Sequence, residues 1–384
     1  MTDEIAKMIE GYAEIEQSIS NNRKFGVDLT RDRAPWQEIV DRLHPRRLAL
    51  TVADIVGITG TTKSIRLVPM VGYLPPFQAG QYINLHVEID GIRTGRPYSI
   101  SSSPAQKAYY EITVKRKPGG FVSGYLLDRV GVGDTLESSG PAGHLHYNPL
   151  HHGKKLVFLA GGIGITPFMS MIREATDRAL DRDMHLLYGC RTPQDAPFFD
   201  ELKYRAGKFS NFSFDLVISD PVDGWAGLTG MIGADLITKV IGDVEGSTFY
   251  ICGPVQMYDF CIPELQKLGV PRRRIRQEVV YGAADIAADP AWPTGLKADS
   301  VFSLKYGERV IPAKAGESIL VALELAGIGL ENSCRAGECS MCRVKLLAGR
   351  VFQASTALVR KSDRKAGYIH ACASYPVSDL EIMQ

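Results

Sequence analysis

Neither sign of charge dominates this chain: 44 lysines and arginines face 43 aspartates and glutamates among 384 residues, a net charge of +1. So weak a field recruits neither nucleic acid nor an anionic membrane, and partners have to be recognised by local patches. Apolar runs long enough to cross a bilayer are missing. The start, Met1-Thr2-Asp3-Glu4, has neither the basic residues nor the apolar stretch of a secretory signal, and the expectation is a soluble, cytoplasmic protein. Internal repeats and long low-complexity segments are absent, and no Ser-His-Asp set or carboxylate pair is placed for hydrolysis. His144, His146, His151 and His152 lack cysteine or carboxylate partners at ligand spacing, so they read as solvated or stacked side chains before metal ligands. Cysteine itself is scarce, seven residues in all.

Four of those seven are grouped. Cys334, Cys339, Cys342 and Cys372 follow the spacing C-x4-C-x2-C and then a distant C, the ligand pattern of a plant-type [2Fe-2S] cluster. Two irons bridged by sulfides need four converging thiolates. The loop Cys334-Arg335-Ala336-Gly337-Glu338-Cys339-Ser340-Met341-Cys342 can supply three by wrapping tightly: Gly337 permits the turn, while Ala336 and Ser340 leave backbone N–H groups free to face sulfur. Cys372 closes the cage from a separate strand. Structural zinc favours paired CxxC units, and only one is present; disulfides are disfavoured in a reducing cytosol. Cys190, Cys252 and Cys261 stand alone in apolar surroundings and read first as buried thiols.

A chain of this length exceeds one ordinary core and suggests about two to four domains. In residues 1–47, Ile5, Met8, Ile9, Tyr12, Ile15 and Ile19 recur at helical spacing, which predicts a helix packed by its apolar face on the body of the protein. Residues 48–150 break into short β-rich runs with close turns, the texture of a small antiparallel barrel. Residues 151–282 alternate strand and helix, which means a parallel sheet with crossover helices. The small, polar, proline-containing stretch 283–299 reads as a linker, with a coil span of roughly 20–25 Å, enough to let a domain swing. A third domain follows over 300–384, with opening strands, a helix at 318–326 and the cluster loop.

Three stretches carry further chemistry. Arg96-Pro97-Tyr98-Ser99 joins a cation, a ring and a hydroxyl on one strand: groups that can neutralise a diphosphate, lie against an isoalloxazine and reach the ring nitrogen that receives a hydride. Gly119-Gly120-Phe121-Val122-Ser123-Gly124 opens a helix and suits a phosphate. Gly161-Gly162-Ile163-Gly164-Ile165-Thr166-Pro167 turns from strand into helix, where a pyrophosphate can sit over N–H groups.

In this order, followed by Cys252-Gly253-Pro254 and the cysteine loop, these motifs resemble the ferredoxin-NADP reductase superfamily, in particular fused reductases that serve oxygenases and end in a plant-type ferredoxin. The resemblance covers about 48–384. It implies a multidomain fold: an antiparallel β-barrel flavin domain, an α/β parallel-sheet nucleotide domain and an α+β, β-grasp-like ferredoxin domain. It implies that Arg96, Pro97, Tyr98 and Ser99 hold FAD, in preference to FMN, with Lys115, Gly120, Val122 and Ser123 around its diphosphate. Gly161, Gly162, Gly164, Thr166, Arg191, Cys252 and Gly253 would then face NADH or NADPH, with Ser99, Cys252 and Glu278 closest to the hydride. Glu278 and Tyr281 fall in Glu278-Val279-Val280-Tyr281-Gly282, which has one residue more than the family's glutamate-aromatic-glycine pattern and a tyrosine where phenylalanine is common.

The implied function is an NAD(P)H-dependent flavin iron–sulfur reductase. Electrons would leave singly through a centre near about −400 mV to a protein acceptor: an oxygenase, a desaturase or another metalloenzyme. A reductive activator of a corrinoid partner and a redox-sensing module remain open alternatives. Arg191 suits a 2′-phosphate, yet no further cations surround it, which tilts the choice to NADH.

Overall fold

The computed structural model describes residues 11–24, 39–40, 43, 45–221, 224–278, 286–354, 357 and 359–383. It divides into two units, residues 1–46 and 47–384. In the first, helix α1 (Tyr12–Lys24) forms as expected, but no residue of it is buried and Ile15 is exposed. Of the residues of the expected apolar stripe, Ile5, Met8 and Ile9 lie outside the described residues.

In the second unit the chain first runs through β1 (Leu48–Thr59), β2 (Thr62–Pro69), β3 (Tyr82–Ile89), β4 (Ile92–Ser99), β5 (Tyr110–Lys115), α2 (Phe121–Asp128) and β6 (Thr135–Ser138). Their antiparallel sheet has the order β4-β3-β6-β1-β2-β5, and a bridge between Ile100 and Ile112 brings its two edges together. Burial alternates along β6 while β3 and β5 are buried along most of their length, and Leu50, Ile65, Leu85, Ile112 and Leu136 fill the interior. The strand that carries Arg96–Ser99 begins at Ile92, because it is one arm of the β3–β4 hairpin turned at Asp90-Gly91, both at positive φ.

Next come β7 (Lys155–Gly161), α3 (Thr166–Asp177), β8 (Asp183–Cys190), α4 (Phe199–Lys208), β9 (Phe212–Ile218), β10 (Leu228–Thr229), α5 (Ala234–Ile241), β11 (Thr248–Cys252), α6 (Val255–Lys267) and β12 (Ile275–Gln277). The sheet is parallel, in the order β10-β9-β8-β7-β11-β12. Its order reverses between β7 and β11. A crevice opens at such a switch point, outside the carboxyl ends of the two strands, and ligands bind there. Arg173 of α3 clamps the two sheets together: its guanidinium donates to the Glu111 carboxylate at 2.6 Å and to the Ser101 carbonyl at 2.9 Å, and Ser170 donates to the Ser102 carbonyl at 2.7 Å.

The third part holds β13 (Val301–Tyr306), β14 (Arg309–Lys314), α7 (Ile319–Leu325), β15 (Arg343–Ala348), β16 (Val351–Gln353), α8 (Lys361–Lys365), β17 (Tyr368–His370), β18 (Ser374–Pro376) and β19 (Leu380–Met383). A mixed sheet has the order β14-β13-β19-β15-β17, and β16 pairs separately with β18. Ser318 caps α7 by accepting from the Val321 amide. The expected linker differs over 286–299. Ile286 is buried in the core of this part, and Trp292 packs edge-on against Phe352 while donating to the Leu296 carbonyl. These residues are moored to the third part; 283–285 lie outside the described residues. Among the described residues no helix is long and apolar enough to cross a membrane.

Candidate electron-transfer site

The switch point brings two motifs together. Gly161–Thr166 leaves β7, Cys252-Gly253-Pro254 leaves β11, and the loops interlock through their glycines. A Cβ on Gly164 would lie 2.1 Å from the Cys252 carbonyl oxygen, and one on Gly161 2.8 Å from Pro254 Cδ and 2.9 Å from Met257 Sδ. A Cβ on Gly253 would meet the same sulfur at 2.7 Å. These three glycines thus serve loop-on-loop packing before any ligand. Gly162 differs: it has φ +52° and faces open space. Thr166 turns its hydroxyl to the Ile163 carbonyl at 3.1 Å and is almost fully buried. Burial pushes the Cys252 thiol far above its usual range, so it stays protonated.

Tyr258, which the sequence did not single out, ties this corner together. Its hydroxyl accepts from the Gly253 amide at 3.1 Å and donates to the Glu278 carbonyl. The Glu278 side chain is buried, and its Oε2 has no hydrogen-bond partner among the described residues. Burial, with Glu338 and Cys334 nearby, pushes its carboxyl up to about 8, so it carries a proton at neutral pH. Tyr281 lies outside the described residues.

On the first sheet, Ser99 pairs with Tyr82, Tyr98 with Ile83, Pro97 with Asn84 and Arg96 with Leu85. Tyr98 and Ser99 are both buried, and Tyr98 joins the sheet's apolar core, which leaves little of its ring for stacking. Arg96 donates to Thr94 Oγ1 at 2.6 Å and to the Gly95 carbonyl at 2.7 Å. Lys115 ends β5, and the chain then turns at Gly119-Gly120 into α2. A Cβ on Gly120 would strike Ser123 Oγ at 2.4 Å, and Ser123 itself accepts from the Lys117 amide at 3.2 Å. The Ser123 hydroxyl thus closes the turn, and the Val122 side chain enters the core. No side chain caps α2, which leaves its first amides to an anion. Arg191 is largely exposed, 3.9 Å from Asp195, which also accepts from the Thr192 hydroxyl at 3.2 Å.

The cysteine loop lies against the β3–β4 arm. Cys334, Ala336 and Cys339 share an apolar cluster with Tyr82 and Ala142. Around Cys334 Sγ gather the amides of Ala336 (3.4 Å), Glu338 (3.4 Å) and Cys339 (3.3 Å); Gly337 N–H faces Cys372 Sγ at 3.2 Å, and Cys372 N–H faces Cys342 Sγ at 3.5 Å. Left-handed backbone at Arg335 (φ +54°), Gly337 (φ +77°) and Ser340 (φ +62°) turns the amides inward. All four cysteines are free thiols. Soft sulfur donors on two arms, ringed by N–H groups, fit a [2Fe-2S] cluster. The uncapped α2 and the orphaned Glu278 oxygen between the sheets fit a bound flavin and nucleotide.

His370, unforeseen from sequence, braces this loop. It is fully buried, with Nδ1 donating to the Gly337 carbonyl at 2.8 Å and Nε2 facing Asp363 Oδ2 at 3.2 Å. Asp363 in turn accepts from Arg343 at 3.3 Å, and its carboxyl is held below the usual range by His370, with Arg343 assisting. His370→Leu strands the Gly337 carbonyl, a loss of about 1–3 kcal/mol. Thermal melting followed through the cluster's visible absorption should show the transition several degrees lower. His152, among the histidines left open above, is engaged within the protein: its Nδ1 accepts from the Asn148 amide at 3.0 Å and meets the Tyr250 hydroxyl at 2.7 Å, and burial lowers it to about 4.

Comparison with known proteins gives three domain families in one order. They are an oxidoreductase FAD-binding domain over residues 73–147, an oxidoreductase NAD-binding domain over 158–262 and a 2Fe-2S iron-sulfur cluster binding domain over 304–377. The chain is 31% identical over 321 residues to the glycine betaine monooxygenase reductase subunit of Pseudomonas aeruginosa, spanning 80% of this chain and 87% of that one. It is 30% identical to the ferredoxin reductase component of 3-ketosteroid-9-alpha-monooxygenase from Rhodococcus rhodochrous, spanning 87% and 95%. Among solved structures, phthalate dioxygenase reductase superposes with a TM-score of 0.66 at 26% identity, over 88% of this chain and 97% of that one.

Proposed function

This chain belongs to the ferredoxin-NADP reductase superfamily, among the fused reductases with a C-terminal 2Fe-2S domain, and we propose that its acceptor is the terminal oxygenase of a monooxygenase or dioxygenase system. It is an oxidoreductase that passes electrons from a nicotinamide nucleotide through FAD and a [2Fe-2S] cluster to a separate protein; the corrinoid and sensor readings are not favoured. Bound FAD would supply the exchange of one hydride for two single electrons, and a [2Fe-2S] cluster would supply a one-electron exit that empties between the two. The residues of the chain bind, orient and insulate. Arg96 and Lys115 supply cations and α2 its free amides to the diphosphate, Ser99 lies at the reacting edge, and the Gly161–Thr166 and Cys252–Gly253 loops form the nucleotide's floor. Glu278 holds a proton beside them at neutral pH. Cys334, Cys339, Cys342 and Cys372 hold the cluster.

The finer fold reading is that the first sheet is a closed barrel and the third part a β-grasp; the Ile100–Ile112 bridge and the parallel β13–β19 pair support it. NADH is the donor we assign. Asp195 beside Arg191 offers a carboxylate to a ribose hydroxyl and repels a 2′-phosphate. Thiolate ligands and free buried cysteines suit a reducing compartment, the cytoplasm.

The observation that carries this reading is the contact of Tyr82, the strand partner of Ser99, with Cys334 and Cys339. The test is anaerobic stopped-flow mixing. NADH should bleach the flavin first and the cluster second, at least about tenfold faster than NADPH, since loss of one good charge complementarity is worth about that factor. Flavin that stays oxidised in the presence of NADH defeats the reading.

A further inference from the structure

Among the described residues, three buried hydrogen bonds join the flavin sheet to the ferredoxin part, and all of them come from the β3–β4 arm. Asn84 Nδ2 donates to the Asn332 carbonyl at 2.9 Å, Ser333 Oγ donates to the Tyr82 hydroxyl at 3.3 Å, and Thr94 Oγ1 donates to Glu324 Oε2 at 3.0 Å. The last belongs to a longer relay. Glu324, on α7, forms a two-pronged ion pair with Arg335, at 2.6 and 2.9 Å, and Arg335 is the residue after Cys334. On the other side, Arg96 donates to the same Thr94 oxygen at 2.6 Å. A hydroxyl has one hydrogen and two lone pairs, and here the hydrogen goes to the carboxylate while a lone pair receives the guanidinium.

We propose that Thr94 is the positioning residue of a reversible dock: through the Arg96–Thr94–Glu324–Arg335 relay it holds the cysteine loop against the flavin strand for internal electron transfer. The proposal rests on the function assigned above and concerns how that site is assembled. The relay divides into parts of unequal permanence. Glu324 and Arg335 are both almost fully buried and both belong to the ferredoxin part, so their ion pair travels with it and keeps the Cys334 turn in shape. The buried link across the seam is a single hydroxyl, flanked by two uncharged bonds; the ion pair of Arg47 with Glu331, 3.5 Å apart, crosses at the exposed rim, where water already screens both charges. Water can replace the three buried bonds on separation without leaving a charge unpaired, which a buried ion pair across the seam would not allow. The joint is therefore strong enough to set a geometry and weak enough to open. Because Arg96 also serves the flavin diphosphate in the assigned function, the relay places both cofactor sites on one chain of hydrogen bonds.

The test compares Thr94→Val, which keeps the shape and loses the hydroxyl, with Thr94→Ser, which keeps it; both are used as full-length protein with flavin and iron content verified. Thr94→Val should quicken amide hydrogen exchange across residues 332–336 and 82–86 by about tenfold, the equilibrium value of a hydrogen bond to a charged partner. It should also slow cluster reduction by NADH and the cytochrome c reduction that depends on it. Reduction of ferricyanide, taken directly from the flavin, should stay unchanged, since Arg96 keeps its bond to the Gly95 carbonyl. Thr94→Ser should restore wild-type exchange and rates. Unchanged exchange and cytochrome c reduction in Thr94→Val would overturn the proposal, as would an equal fall in ferricyanide reduction, which would assign the hydroxyl to Arg96 alone. Failure of NADH to reduce the cluster in the unaltered protein would instead overturn the assigned function.

Discussion

The Cys339→Ser variant is expected to lose the [2Fe-2S] centre and, with it, cytochrome c reduction, by on the order of 100-fold or more, since even supporting changes around a metal cost 10–100-fold. Ferricyanide reduction by NADH should continue within about twofold, because the nucleotide loops lie on the parallel sheet and share no residue with the cysteine loop. Among the four cysteines proposed as ligands, Cys339 is the informative one. It is the one of the four that is not fully buried, and its thiol shares the cluster with Tyr82 and Ala142 that faces the flavin strand. Its amide also faces Cys334 Sγ, so the change disturbs one thiolate and leaves the other amide contacts of Cys334 in place. The checks are iron and sulfide content together with the ratio of the two acceptor rates. Equal loss of both rates would mean that the flavin part depends on the cluster for its structure; retention of both would remove the cluster as the exit.

Gly164→Ala is expected to cut hydride transfer from NADH by a comparable factor, on the order of 100-fold, while the cluster remains reducible by dithionite. The added methyl would sit 2.1 Å from the Cys252 carbonyl oxygen, 2.5 Å from its carbon and 2.7 Å from the Gly253 nitrogen. All three are backbone atoms of a strand end, so no side chain can swing aside, and the loop after β7 must move away from the loop after β11. Displacements near 1 Å at a reacting centre are enough for a loss of that size. The neighbouring Gly162→Ala makes the control. Its methyl meets no protein atom and the strain of φ +52° costs only about 1 kcal/mol, so its effect on stability should be small; because Gly162 also belongs to the nucleotide's floor, any loss should fall on the KM for NADH and spare bleaching at saturating nucleotide. Single-turnover flavin bleaching separates the two; equal effects would mean that these glycines act through local conformation, without the loop packing.

The cysteine loop was legible because its chemistry is local: three ligands within nine residues have to fold around one object whatever the rest of the chain does. The strand–helix alternation of 151–282 was legible for the same reason, since hydrophobic periodicity is a property of short windows. The glycines after β7 were recognised as special but for a narrower reason than their geometry gives. Gly161, Gly164 and Gly253 are demanded by a neighbouring loop some 90 residues away in the chain, and only Gly162 faces open space. The stretch before the third domain misled because small residues and prolines suit a coil and a snug turn equally well. What distinguishes the two is the burial of Ile286 and the seat of Trp292 on Phe352, a contact across 60 residues. The amphipathic stripe of α1 gave the helix over Tyr12–Lys24.

From the sequence alone come the cofactor classes, their order along the chain and the four cysteines proposed to hold the cluster, because ligand spacing, glycine turns and residue periodicity are written within a few residues of one another. The tertiary structure alone decides how the sites meet. Tyr82 at the cluster, Thr94 on Glu324, Asn84 on Asn332 and His370 beneath Gly337 join residues 33 to 251 positions apart. Side chains so ordinary in type acquire a role only when packing removes water from between them and leaves their hydrogen bonds to be made within the protein.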